Sequence, residues 1–134
     1  MENNNEEKVI KKFSFIQRKR SFENALRGLY LFIRSTHSAW IHFVMFIFAV
    51  SAGIFFNITD LEWILIFLVS GIVFISEAFN TAIEIDIDLT SPNYHPYARD
   101  TKDVAAGAVL LSAILAVVVG LLIFIPYIKD LLNN

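Results

Sequence analysis

The sequence predicts an all-α membrane protein: an amphipathic amino-terminal helix in the interface, then three transmembrane helices. Three observations carry this. Of 134 residues, 56% are hydrophobic and thirteen are Phe, with a mean hydropathy of +0.58, which does not suit a soluble domain. The apolar residues gather into three long runs, and the cationic residues are sorted to one side of them. The length bounds the chain to a single domain. The absence of Cys excludes disulfides, thiolate metal sites and a thiol nucleophile.

Residues 1–9 open as MENNNEEK, a polar stretch expected to be disordered and lacking the apolar core of a cleavable signal. Residues 10–134 form the membrane domain. From about Ile10 to Ser35, Phe15, Phe22, Leu26, Leu29 and Ile33 recur at helical spacing among seven Lys and Arg residues. That pattern fits a helix with its apolar side in acyl chains and its cations at the headgroups. A helix docked on a soluble partner would read similarly, but three spans follow at once and favour the interface.

The first span runs from about Ala39 to Ile58, broken only by His42, Ser51 and Asn57. His42 reads as a polar interface residue and His37 as solvated. A polar turn, Asn57-Ile58-Thr59-Asp60, leads into the second span, about Leu61 to Asp88. The third runs from about Val104 to Ile128 and is closed by Lys129-Asp130. Each is long enough at 1.5 Å per residue to cross ~30 Å of hydrocarbon. In the third, Ala108, Ser112, Ala116 and Gly120 fall four apart, a small-residue stripe of the kind that lets helices approach in lipid. Three thin spans enclose little by themselves, so a homo-oligomer is expected.

Eight of the eleven Lys and Arg residues precede Ala39, and Arg99 and Lys102 lie between spans two and three. The 57–62 turn has only Asp60 and Glu62. By the positive-inside rule the amino terminus and the 89–103 loop are cytoplasmic, and the carboxyl terminus is outside.

The second span holds the chemistry. Its uninterrupted apolar run, Trp63 to Ser76, is only fourteen residues, so a full crossing of ~20 residues must include acidic ones. Such carboxylates are costly at membrane depth and read as functional. At 100° per residue, Glu77, Glu84 and Asp88 fall within about 20° of a common line, flanked by Asn80 and Thr81. Asp86 points to the opposite face and is given no catalytic role. Glu77 lies roughly 10 Å deeper than Glu84. A lipid-borne hydroxyl and a soluble phosphoryl donor could meet along such an edge. Two other readings share it: polar glue between spans, and a proton-coupled carrier using Glu77.

The loop LTSPNYHPYARDTKD, with Pro92 and Pro96 breaking the helix, offers His95, Arg99 and Lys102 to phosphate. Asp103 could assist a metal or cap the third span. No GxxxxGKS or GxGxxG motif is present, so neither a P-loop nor a protein-kinase nucleotide site is expected.

Together these residues resemble the bacterial integral-membrane diacylglycerol kinase and undecaprenol kinase family. The resemblance rests on Glu77-Ala78-Phe79-Asn80-Thr81-Ala82-Ile83-Glu84 followed by Asp88, matching an E-x-x-N-[ST]-A-[IV]-E-x-x-x-D core. Tyr94-His95 and Lys102-Asp103 fall at the family's spacing, and Asn24-Ala25-Leu26-Arg27-Gly28 is similar to its surface-helix segment. It covers about residues 15 to 127. It implies a homotrimer with sites shared between protomers, ATP and Mg²⁺, and a lipid alcohol as acceptor. It implies Glu77 as catalytic base, Asn80 as the residue positioning base or acceptor, and Glu84 as the metal- and nucleotide-associated carboxylate. Tyr94, His95, Lys102 and Asp103 would contact the nucleotide.

One position departs from the family. A second metal-binding glutamate is expected six residues before His42, where this chain has Thr36. A neutral hydroxyl is a poor Mg²⁺ ligand beside a carboxylate, leaving compensation by His37 or Glu23, completion of the metal shell by water, or an activity weakened or lost.

The function expected is therefore an ATP-dependent lipid kinase at the cytoplasmic face of a bacterial inner membrane, acting on diacylglycerol or undecaprenol. The alternative is an impaired family member, or a small transport or structural oligomer keeping Glu77 and Glu84 for packing or proton coupling.

Overall fold

The computed structural model describes residues 15–35 and 37–133, apart from the side chains of Ser35 and His37. The polar tail over 1–9, the first residues of the expected surface helix and Thr36 lie outside that description. The described residues form four helices: α1 (Phe15–Ser35), α2 (His37–Phe56), α3 (Asp60–Thr90) and α4 (Pro96–Leu132). The last three are long and apolar enough to cross a membrane.

α1 keeps its cations exposed, with Lys19 3.8 Å from Glu23 on a solvated face. It buries Phe32 and touches both α2 and α3. Glu23 is thus engaged with Lys19 on the helix surface.

The α2–α3 turn is built by two local motifs. Asn57 adopts φ 50°, a left-handed conformation that Asn tolerates better than most residues. It ends α2 in a Schellman arrangement, with Ile58 N–H donating to Gly53 O at 3.2 Å and Asn57 N–H to Ile54 O at 3.3 Å. Gly53 is required here, because a Cβ would come within 2.8 Å of the Trp63 ring and 3.0 Å of Ile58 Cδ1. Thr59 then caps α3. Its hydroxyl accepts from Glu62 N–H while the Glu62 carboxylate takes Thr59 N–H, a complete capping box.

α4 packs chiefly along α3. Ile58, Ile66 and Ile123 form the buried core at the end nearest this turn, bordered by Phe56, Trp63 and Phe124. Most of the other large apolar side chains are exposed, as lipid-facing helices require. Of the small-residue stripe, Ser112 is buried, Ala116 and Gly120 are half-buried, and Ala108 is exposed. A Cβ on Gly120 would meet nothing within 4 Å, so close approach within the protomer does not explain that glycine.

Three helix ends extend past the expected spans. The 89–103 segment is not one loop: α3 continues to Thr90, and α4 starts at Pro96 rather than Val104. Pro96 does not break a helix but opens one, because the first turn needs no N–H from it. Asp103 consequently lies inside α4 and cannot cap it; the N-cap position is His95, whose side chain makes no capping bond. At the far end α4 runs through Pro126 to Leu132, beyond the Ile128 limit that hydropathy suggests. At 1.5 Å per residue α3 and α4 reach about 46 and 55 Å, well past the hydrocarbon thickness.

Candidate active site

One helix supplies most of the site. α3 presents Glu77, Asn80 and Thr81 as buried residues, Glu84 as half-buried and Asp88 as exposed, a gradient from protein interior to surface along one face. The i, i+3, i+4, i+7 spacing creates it, as expected from the sequence. Glu77 is the most deeply enclosed side chain, 2% exposed. A carboxylate so placed needs a polar neighbour, and His42 from α2 meets it, with Nε2 3.3 Å from Oε1. The Thr81 hydroxyl donates to the Glu77 backbone carbonyl at 2.9 Å, so Thr81 supports the helix rather than the carboxylate through that bond.

Asn80 reaches one turn forward and donates Nδ2–H to Glu84 Oε1 at 2.9 Å. A carboxylate only accepts, so the amide nitrogen must face Glu84 and its oxygen must face away. That oxygen, Asn80 Oδ1, is buried with no hydrogen-bond partner among the described residues. Buried acceptors are seldom left unsatisfied. Asn80 Oδ1 therefore calls for a donor beyond the described residues, such as a hydroxyl.

Near the connector, Lys102 of α4 donates to Asp88 Oδ1, joining the first turns of α4 to the last turns of α3. Arg99 lies 3.5 Å from Asp103 on the exposed side of α4. Tyr94 is exposed in the 91–95 connector, and the His95 ring packs on Tyr97. Of the residues expected at the site, the fold gathers Glu77, Asn80, Glu84, Asp88 and Lys102 along one edge. Asp103 pairs with Arg99, Tyr94 is exposed, and His95 packs on Tyr97. Sequence reasoning missed the pairing of His42 with Glu77. Its signal was a titratable residue inside a span, which in lipid needs a partner.

An apolar groove of about 380 Å³ runs between α2, α3 and α4, lined by residues such as Met45, Phe46, Val73 and Val117, with His42 on its wall.

With this geometry in view, residues 23–124 fit the family model of prokaryotic diacylglycerol kinase. The chain belongs to that family. It is accordingly a membrane-embedded lipid kinase, and the family's activity implies ATP as phosphoryl donor. The kinase is 37% identical over 107 residues to the undecaprenol kinase of Bacillus subtilis, covering 80% of this chain and 87% of that one. It is 34% identical over 113 residues to a diacylglycerol kinase of Synechocystis sp., covering 84% of this chain but only 65% of the relative. No solved structure matches it significantly.

Proposed function

We propose that this kinase transfers the γ-phosphoryl group of ATP to the hydroxyl of undecaprenol or diacylglycerol at the cytoplasmic membrane surface, with Glu77 as base. The burial of Glu77 beside His42, within reach of an apolar groove, carries the reading. Greater similarity and more complete coverage favour undecaprenol as the first acceptor to test.

In the proposed reaction Glu77 takes the proton of the lipid hydroxyl as its oxygen attacks the γ-phosphorus and ADP departs. Phosphoryl transfer relies on positioning and charge neutralisation more than on covalent help. Asn80 fits the positioning role, since Nδ2 holds Glu84 while Oδ1 is free to accept from the lipid hydroxyl. Lys102 fits a phosphate contact, its ammonium being already at the surface beside Asp88. Tyr94, His95 and Asp103 are proposed as outer nucleotide contacts.

Among the described residues no three His, Asp or Glu side chains converge as a metal cage. Mg²⁺ commonly keeps several waters and takes one or two carboxylates plus substrate phosphates. Glu84, half-buried with Oε1 fixed by Asn80, fits an ion that arrives with the nucleotide. When bound there, Mg²⁺ would neutralise charge on the β- and γ-phosphates.

A homotrimer, with the amino terminus and the 91–95 connector cytoplasmic and the carboxyl terminus outside, completes the proposal. Its supports are the cation distribution, the exposed apolar faces and the unused space at Gly120. The test is phosphorylation from labelled ATP in mixed micelles containing each lipid separately. Label in one lipid, abolished by Glu77→Gln in a protein that still elutes as the native oligomer, supports the reading. Undiminished turnover by Glu77→Gln removes Glu77 as base.

A further inference from the structure

The base reading leaves open what aims the Glu77 carboxylate. Glu has three side-chain torsions, and an unheld carboxylate in a buried site samples several directions. The Thr81 hydroxyl bond goes to the Glu77 backbone and does not fix its head group. His42 comes from a different helix and stands 3.3 Å from Oε1, with its side chain 21% exposed against 2% for Glu77. The same imidazole borders the apolar groove between α2, α3 and α4.

We propose that His42 is a positioning residue for phosphoryl transfer: its Nε2–H holds Oε1 of Glu77 and thereby directs Oε2 at the acceptor hydroxyl. This rests on Glu77 being the base. Contacts of this kind are often long or poorly aligned before substrate binds and tighten in the reactive complex. A second helix is needed because a group on α3 alone would follow every movement of Glu77, whereas α2 supplies an independent point of reference.

The experiment compares kcat and KM of the full-length protein in mixed micelles for wild type, His42→Ala, His42→Gln and Glu77→Gln. A misdirected base loses roughly tenfold to a hundredfold in rate. The expected result is a kcat loss of that order in His42→Ala, with KM for ATP and lipid unchanged. His42→Gln, whose side-chain amide can donate at similar reach but takes up no proton, should recover most of it. If His42→Ala does not assemble, His42→Leu fills the space without a donor and replaces it in the comparison. Wild-type kcat in His42→Ala, a change confined to KM, or a His42→Gln protein as slow as His42→Ala would each overturn the proposal while an inactive Glu77→Gln preserves the base. An active Glu77→Gln instead overturns the base reading on which it rests.

Discussion

The hydroxyl of Tyr127 donates to Glu62 Oε2 at 2.8 Å, across 65 positions of sequence, and joins the last turns of α4 to the first turn of α3. The same oxygen accepts from the Thr59 N–H and hydroxyl, each at 2.8 Å. One carboxylate oxygen therefore ties the α2–α3 turn, the α3 cap and α4 together at the end of the bundle opposite the connector. Tyr127→Phe should lower the thermal midpoint in micelles while leaving kcat intact, since the pair lies far from Glu77. An unchanged midpoint would mean that the capping box suffices by itself.

Asn80 can be separated from Glu77 by its signature. Asn80→Ala removes both the hold on Glu84 and the free Oδ1. It should reduce kcat by at least tenfold, the effect of losing a hydrogen bond to a charged group, and shift the Mg²⁺ dependence to higher concentration. Asn80→Asp puts a carboxylate against Glu84 and should be worse than Ala in Mg²⁺-limited assays. Titration of activity with Mg²⁺ distinguishes the two, and identical curves for both variants would refute the Glu84 link.

Lys102 and Asp88 form a partly exposed pair, with side chains 35% and 70% accessible. Such pairs contribute about 0–1 kcal/mol to stability. Lys102→Met should thus leave the thermal midpoint nearly unchanged while raising KM for ATP several-fold. Asp88→Asn, which frees the ammonium, should have a smaller effect on that KM. A large stability loss in Lys102→Met would assign the pair a structural role instead.

Thr36 stands where the resemblance implies a second metal-binding glutamate. Thr36→Glu should increase activity at limiting Mg²⁺ by adding a carboxylate to the proposed shell. A titration curve superimposable on wild type would show that another ligand already fills that role.

Much of this architecture was legible because hydropathy and helical period act locally. The polar turn over Asn57-Ile58-Thr59-Asp60 is contiguous in sequence, and the alignment of Glu77, Asn80, Glu84 and Asp88 follows from residues on one helix. The start of α4 was not legible in the same way. Hydropathy detects the part of a helix immersed in lipid, whereas residues 96–103 are polar and extend the helix beyond it. The Pro96 signal also has two meanings: within a helix it is disruptive, and at the first position it is favourable. The pairing of His42 with Glu77 depends on the relative depth of two helices, which packing between α2 and α3 determines and residue spacing within either one does not.

The lengths of α3 and α4 have a mechanical consequence. Both are longer than the ~20 helical residues that cross hydrocarbon, with Lys102 meeting Asp88 at one end and Tyr127 meeting Glu62 at the other. A bilayer of different thickness is met by tilt or by local adjustment of the lipid, so lipid chain length is expected to change the height of Glu77 against the headgroups, which kinase assays in lipids of graded chain length would read.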